Sequence, residues 1–342
     1  MADKVLFQDI TSMDRQKPCI PTGSIVLDSA LHFRPFIRSR IHHISGDEGG
    51  GKTTLSLELA KNHILMRLLE GDHDGEKFVY FYDVERALDF SLVDGIVPLE
   101  LQERIRLAKP LTAEDCMNSI LKICTDNKKI LCIVDSVAAL SSECEINESV
   151  DKASVGGIAA LMSKFCRKIL NAVDVNENTV IFLNQLRSDI NTQSKNRNKK
   201  VEPGGKALGF YSTQHLRFGT VYVADRFMTK DKERRCTGHK ARVEIKRNKV
   251  GSEKSTVEVP LYYGRGIWKE REVLEQGYLL GILSRQGNKY FYGDLRLGAS
   301  LDNSVKYLEK NPDVYNKIRR DLFESIPNVD ACSPILRKFY GI

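Results

Sequence analysis

Gly46-Asp47-Glu48-Gly49-Gly50-Gly51-Lys52-Thr53-Thr54 is the stretch whose reading decides the fold. It fits G-x-x-x-x-G-K-[ST], the phosphate-binding loop of nucleotide hydrolases. Glycines let successive backbone N–H groups turn inward and form a concave nest for phosphate oxygens. Lys52 can then reach the β- and γ-phosphates of a nucleotide, and the Thr53 hydroxyl can ligate Mg²⁺. The flanks agree with this. Residues 40–45 are β-rich, with apolar Ile41 and Ile44. After the loop, apolar residues recur at 55, 57, 59, 60, 64, 65, 68 and 69, a spacing compatible with a helix over 52–69. Strand, glycine loop and helix is the context the motif requires. The bland reading is a flexible glycine turn with an incidental lysine.

A second apolar run, 130–135, ends in Asp135. Such a run reads as a buried parallel strand, and open α/β sheets bind ligands beyond the carboxyl ends of their strands. Asp135 is therefore the expected second holder of Mg²⁺, through water. The strand expected at 77–82 runs into Asp83 and Glu85, where a carboxylate can face the γ-phosphate and activate a water; an exposed loop acid is the other reading. The strand expected at 179–184 runs into Asn184 and Gln185. An amide there can sense a γ-phosphate, and its alternative is a simple polar strand end. A basic loop begins two residues later, which would tie nucleotide state to loop conformation.

Strands and helices alternate from 40 to about 223, with helices expected at 113–126 and 154–173 and a strand at 214–223. This implies an α/β fold, a mostly parallel sheet flanked by helices. Residues 220–263 read as an antiparallel ribbon, and a Thr-Gly-Ser start at 22–24 opens a helix. A small C-terminal α/β domain follows, with helices near 272–282 and 302–324. The expected division is a short segment 1–20, a core 21–268 and a C-terminal domain 269–342.

Hydrophobic residues at 42% and charged residues at 28% are ordinary for a globular chain of 342 residues. No apolar run approaches membrane-spanning length, and the first ten residues have no signal-like apolar core. The eight cysteines show no C-x-x-C pairing and read as reduced, mostly buried side chains, so a cytoplasmic location is expected. The net charge of +7 is uneven. Residues 187–206 carry six cations (Arg187, Lys195, Arg197, Lys199, Lys200 and Lys206) against Asp189 and Glu202, and 188–206 read as a mobile loop ending at Gly204-Gly205. That pattern points to a polyanion partner. Solvated surface charge is the alternative for any single lysine.

Together these pieces resemble bacterial RecA and its phage relatives. The phosphate loop, the 83–89 segment Asp-Val-Glu-Arg-Ala-Leu-Asp, the 133–140 strand, the 182–187 segment Phe-Leu-Asn-Gln-Leu-Arg, the 204–211 segment and the 245–250 segment Ile-Lys-Arg-Asn-Lys-Val follow one another in that family's order. The resemblance covers about residues 20–325. It implies a RecA-like P-loop ATPase core and a DNA-dependent ATPase that uses ATP or dATP with Mg²⁺. It also implies a homo-oligomeric helical filament on single-stranded DNA, pairing with double-stranded DNA in recombination and repair, and a single-strand-binding protein and a loader as accessory partners. By resemblance, Glu85 is the catalytic base, Gln185 the γ-phosphate sensor, and 145–157 and 187–206 the DNA-binding loops. Arg247 and Lys249 resemble a lysine pair acting across protomers, and Phe210 an interface aromatic.

The chain also departs from the family. Asp47 and Gly49-Gly50 stand where bacterial members usually carry Pro and Ser. Arg247 replaces a lysine, and Leu92 stands where an adenine-stacking tyrosine is usual. Only about twenty residues precede Thr22, and no acidic tail ends the sequence; these features suggest a phage or divergent bacterial origin. Two rival readings share the fold: a regulatory nucleotide-binding module without strand exchange, and a ring-forming helicase motor.

Overall fold

The computed structural model describes residues 17–72, 77–149, 157–188, 200–228, 235–251, 255–327, 329 and 332–342. The chain opens with helix α1 (Ile25–Ala30), strand β1 (Ile41–Gly46) and helix α2 (Lys52–Leu69). Then come β2 (Val79–Asp83), α3 (Phe90–Ile96), α4 (Leu99–Gln102), β3 (Ile105–Ala108), α5 (Ala113–Asp126) and β4 (Leu131–Asp135). Next are α6 (Glu143–Asn147), α7 (Gly157–Val175), β5 (Thr179–Gln185), β6 (Arg187–Ser188), β7 (Lys200–Val201), α8 (Ala207–Tyr211) and β8 (Gln214–Phe218). An antiparallel portion follows: β9 (Arg226–Met228), β10 (Cys236–Asn248), β11 (Thr256–Tyr262) and β12 (Gly266–Ile267). The chain closes with α9 (Lys269–Leu279), β13 (Ser284–Gln286), β14 (Lys289–Tyr292), β15 (Leu295–Gly298), α10 (Leu301–Lys310), α11 (Pro312–Ser325) and α12 (Pro334–Tyr340).

The main sheet runs β12-β11-β10-β8-β1-β5-β4-β2-β3, with β9 against β10. Pairing is parallel from β8 to β3 and antiparallel from β8 to β12. The parallel half is covered on both faces, so its strands are apolar throughout. Along β4, Leu131 and Ile133 join the cluster packed on α2, while Cys132 and Val134 join the one packed on α5 and α7. Local signals fix the helix ends. The Thr112 side chain caps α5 by accepting from the Asp115 N–H, and Asp89 caps α3 by accepting from Ser91; such caps contribute about 1 kcal/mol each. No described helix is long and apolar enough to cross a membrane. All eight cysteines are free; Cys144 is exposed and Cys236 half-buried.

Two expectations are corrected. The helix expected over 302–324 is two helices, because Pro312 has no N–H to continue α10 and instead starts α11. The strand expected to reach 223 stops at Phe218, and Val223–Asp225 is a 3-10 turn. The C-terminal part also holds a three-stranded sheet, β13-β14-β15, turned by Gly287 and Gly293, both at positive φ. Where β12 meets α9, Trp268 stands edge-on to Tyr262 at 4.9 Å and to Phe227 at 5.6 Å. Its indole N–H donates to Glu309 at 3.3 Å.

Candidate functional site

The phosphate loop lies between β1 and α2, at the carboxyl edge of the sheet. Gly51 precedes α2 with φ +104, and a Cβ there would lie 2.3 Å from Leu261 Cδ1. No side chain caps this helix, so its first-turn N–H groups are open to an anion, aided by the positive end of an 18-residue helix. Lys52 is folded back on its own loop: its Nζ donates to the Gly46 carbonyl at 3.1 Å and to the Asp47 carbonyl at 2.7 Å. Burial lowers its pKa, while Asp135 and Glu85 oppose that shift.

Acidic and amide groups converge opposite. Thr53 Oγ1 donates to Asp135 Oδ2 at 2.8 Å. Burial pushes the Asp135 carboxyl up to about 6, against the Thr53 hydrogen bond and with the help of the Glu85 charge. A hydroxyl and a carboxylate are hard oxygen donors and suit Mg²⁺, which keeps several waters of its own. Gln185 Nε2 donates to both Glu85 oxygens, at 2.8 and 3.0 Å, and Ser136 Oγ donates to Oε1. The Glu85 backbone N–H also donates to the Asp135 carbonyl at 3.2 Å. Asp83, by contrast, is buried and accepts from the Ala87 and Leu88 N–H groups, so it shapes the turn that presents Glu85.

Glu48, Gly49, Gly51, Lys52, Thr53, Thr54, Glu85, Asp135 and Gln185 all line one cavity of about 440 Å³. Part of its wall was missed by sequence reasoning: Tyr262, Tyr263, His239 and Leu261 come from β10, β11 and the turn after them, and Ser91 from α3, where Leu92, singled out in the sequence, also lines it. Tyr263 supplies an aromatic face to the cavity that Leu92 also lines, with the His239 ring 5.5 Å away. The Tyr-Tyr-Gly run ending β11 was the available signal.

Asp47 does not join this cavity. Its Oδ2 accepts from Lys200 Nζ at 2.5 Å and from Thr220 Oγ1. Lys200, expected on a free basic loop, is thus paired to the phosphate loop. Arg187 and Lys200 lie on the short pair β6–β7 that closes the loop's stem, and Arg187 donates to the Ala138 carbonyl at 2.8 Å. Lys195, Arg197 and Lys199 lie outside the described residues, as do residues 150–156 of the first expected DNA loop. Gly204 and Gly205 have positive φ, and a Cβ on either would meet Val137 Cγ1 or Ala159 Cβ at 2.8 Å. Their smallness lets the loop approach α7 closely. Lys206, exposed, precedes α8.

Phe210, Arg247 and Lys249 do not line the cavity at the phosphate loop. Phe210 is 65% exposed, and Lys249 Nζ donates to its carbonyl at 2.8 Å. Arg247 and Lys249 lie two apart, which in a regular strand would place both on one face, but a bulge lies between Ile245 and Arg247 and β10 ends at Asn248. They flank the buried Asn248 instead, with Lys249 in the turn.

A family model described as the RecA N-terminal domain matches residues 7–268, and one described as the RecA C-terminal domain matches 271–326. Protein RecA of Oceanobacillus iheyensis is 33% identical over 303 residues, covering 89% of this chain and 82% of its own. Protein RecA of Bacillus subtilis is 31% identical over 311 residues, covering 91% and 84%. That of Nautilia profundicola is 30% identical over 311 residues, covering 90% and 83%. A crystal structure of the RadB recombinase is similar over 72% of this chain and 98% of that one, with 21% identity and a TM-score of 0.49.

Proposed function

Since the chain belongs to the RecA family, whose members are DNA-dependent ATPases that bind DNA and form filaments, we propose that it hydrolyses ATP or dATP on single-stranded DNA. There it assembles into a helical filament and pairs the bound strand with a homologous duplex, in the cytoplasm, with a single-strand-binding protein and a loader as accessory partners. Residues 21–268 act as the motor and 269–342 as a smaller accompanying domain. The observation that carries this reading is the convergence of Lys52, Thr53, Asp135, Glu85 and Gln185 on one cavity beside the stem of the basic loop.

In this reading Lys52 leaves the Gly46 and Asp47 carbonyls to neutralise phosphate oxygens. Thr53 and Asp135 hold Mg²⁺, which when bound offsets charge on the phosphates. Glu85, held at both oxygens, accepts the proton of an attacking water. Gln185 can serve either Glu85 or a γ-phosphate, so its amide transmits occupancy to Leu186, Arg187 and the basic loop. Arg187, Lys195, Arg197, Lys199, Lys200 and Lys206 contact the DNA backbone, with Gly204 and Gly205 allowing the close turn. Tyr263 and Leu92 flank the base. Arg247, Lys249 and Phe210, being remote from their own cavity, reach the neighbouring protomer.

The test compares ATP turnover with and without single-stranded DNA in the parent and in Glu85→Gln. The variant should bind nucleotide normally and turn over about 10²-fold more slowly, the usual worth of a positioned base. Parental turnover in that variant, or closed rings instead of helical filaments by electron microscopy with a non-hydrolysable analogue, would sink the reading.

A further inference from the structure

Behind the phosphate loop, β1 and β8 are parallel neighbours with His43 opposite His215 in register. The two imidazoles stack with centroids 4.1 Å apart and planes 21° apart. Ser45 lies two residues along β1 on the same face. Its Oγ donates to Glu202 Oε1 at 2.9 Å and lies 2.8 Å from His215 Nε2. Glu202 comes from the returning limb of the basic loop and closes over the rings. Its Oε1 is 3.3 Å from His215 Nε2, and its Oε2 is 3.9 Å from His43 Nδ1. Arg217 reaches Oε1 at 3.3 Å.

His43 is 1% exposed, yet neither of its ring nitrogens has a hydrogen-bond partner among the described residues. A buried polar group left unpaired is rare and calls for a reason.

We propose that His43, His215 and Glu202 form a binding site for a zinc-class dication, with the Ser45 hydroxyl or a water as fourth ligand. Two imidazole nitrogens and one carboxylate suit Zn²⁺ or Co²⁺ and disfavour Mg²⁺, so the site is chemically distinct from the Thr53–Asp135 pair. Bonds of about 2.0–2.1 Å in tetrahedral geometry place ligand atoms about 3.3 Å apart. The His215–Glu202 pair already stands at that spacing, and all three ligand atoms lie within 4.8 Å of one another. On binding, the rings splay out of their stack so that both lone pairs meet the ion, and Arg217 gives up Oε1. The ion would clamp the returning limb of the basic loop to the strand that leads into the phosphate loop.

The test is a Co²⁺ titration of the full-length, chelator-stripped protein with Mg²⁺ present throughout. A saturable visible ligand-field band, one ion per chain and displaced by Zn²⁺, is expected. Loss of even an outer-shell partner weakens metal sites about 10–100-fold, so His43→Ala and His215→Ala should each weaken binding by about 100-fold or more. Arg217→Gln removes a competing cation and should tighten it. Should the histidine variants fail to fold, Glu202→Gln, at the half-buried loop limb, decides, with folding checked by its melting temperature. No saturable band, an unchanged band in folded Glu202→Gln, or a thiolate-to-cobalt charge-transfer band marking capture by cysteine would each overturn the proposal.

Discussion

Replacing Asp47 by asparagine should strengthen DNA binding in the absence of nucleotide. Asp47 Oδ2 holds Lys200 Nζ at 2.5 Å, so a cation of the basic loop is tied to the phosphate loop. Asparagine keeps the size and can still accept from Thr220, but it loses the charge. The Lys200 side chain is 44% exposed and that of Asp47 18%, so solvent screens the pair heavily. Partly exposed pairs of this kind contribute roughly 0.2–1 kcal/mol. Freeing Lys200 should therefore raise affinity for a single strand by up to about five-fold, the equivalent of 1 kcal/mol. If the freed lysine neutralises one more phosphate, the slope of log affinity against log salt steepens by about 0.7. The assay is fluorescence anisotropy of a labelled oligonucleotide, without nucleotide, over a series of KCl concentrations. Lys200→Met should change little in the parent and cancel the gain in Asp47→Asn, the non-additivity expected of contacting residues. Parental affinity and slope in Asp47→Asn would refute the reasoning. So would a gain that survives Lys200→Met.

Other consequences are equally open to measurement. Arg247→Ala should retain nucleotide binding but lose DNA-stimulated turnover; mixing it with Lys52→Ala should restore some, and a mixture no more active than either alone would rule out action across protomers. Gly95→Ala should destabilise the protein by about 3 kcal/mol in denaturant melts, as overpacking against backbone does, because its Cβ would sit 1.7 Å from the Gly264 carbonyl oxygen. Asp28 and Glu272 are fully buried, and burial raises each to about 7. Their contribution to stability is full below the unfolded values near 4 and is lost as pH rises through about 7. The melting temperature should therefore fall between pH 5 and 8, with a flatter profile in Glu272→Gln; identical profiles would mean that Glu272 is ionised throughout.

The parallel half of the sheet was legible because burial on both faces makes strands such as β4 wholly apolar, and because α2 and α5 carry regular apolar spacing between clear ends. β1 was legible only through its glycine loop, since His42 and His43 are polar residues that the fold buries. The break at Asn311-Pro312 was written in the sequence but overridden by the apolar pattern on either side. The C-terminal three-stranded sheet was missed because its strands are three or four residues long and mostly exposed, although Gly287-Asn288 and Gly293-Asp294 mark its turns. At the site, residues that sit just past strand ends were readable because topology brings those ends together. Tyr263 and His239 were not, since they reach the cavity from an antiparallel strand pair far along the chain. Neither was the Asp47–Lys200 pair, which joins two segments whose charges look solvated when read separately.

Trp268 is the single tryptophan of the chain. It touches Tyr262, which lines the nucleotide cavity, and Glu309, which belongs to α10. The molecule thus carries its single indole fluorophore at the seam between its sheet and its C-terminal helices. Its emission needs no attached dye and is not diluted by other indoles. A shift of the Tyr262 ring on cavity filling changes the quenching environment, and a loosening of α10 removes the indole hydrogen bond and wets the ring. Intensity and wavelength together should therefore separate two events that turnover assays merge: occupation of the cavity, and movement of the C-terminal helices against the sheet.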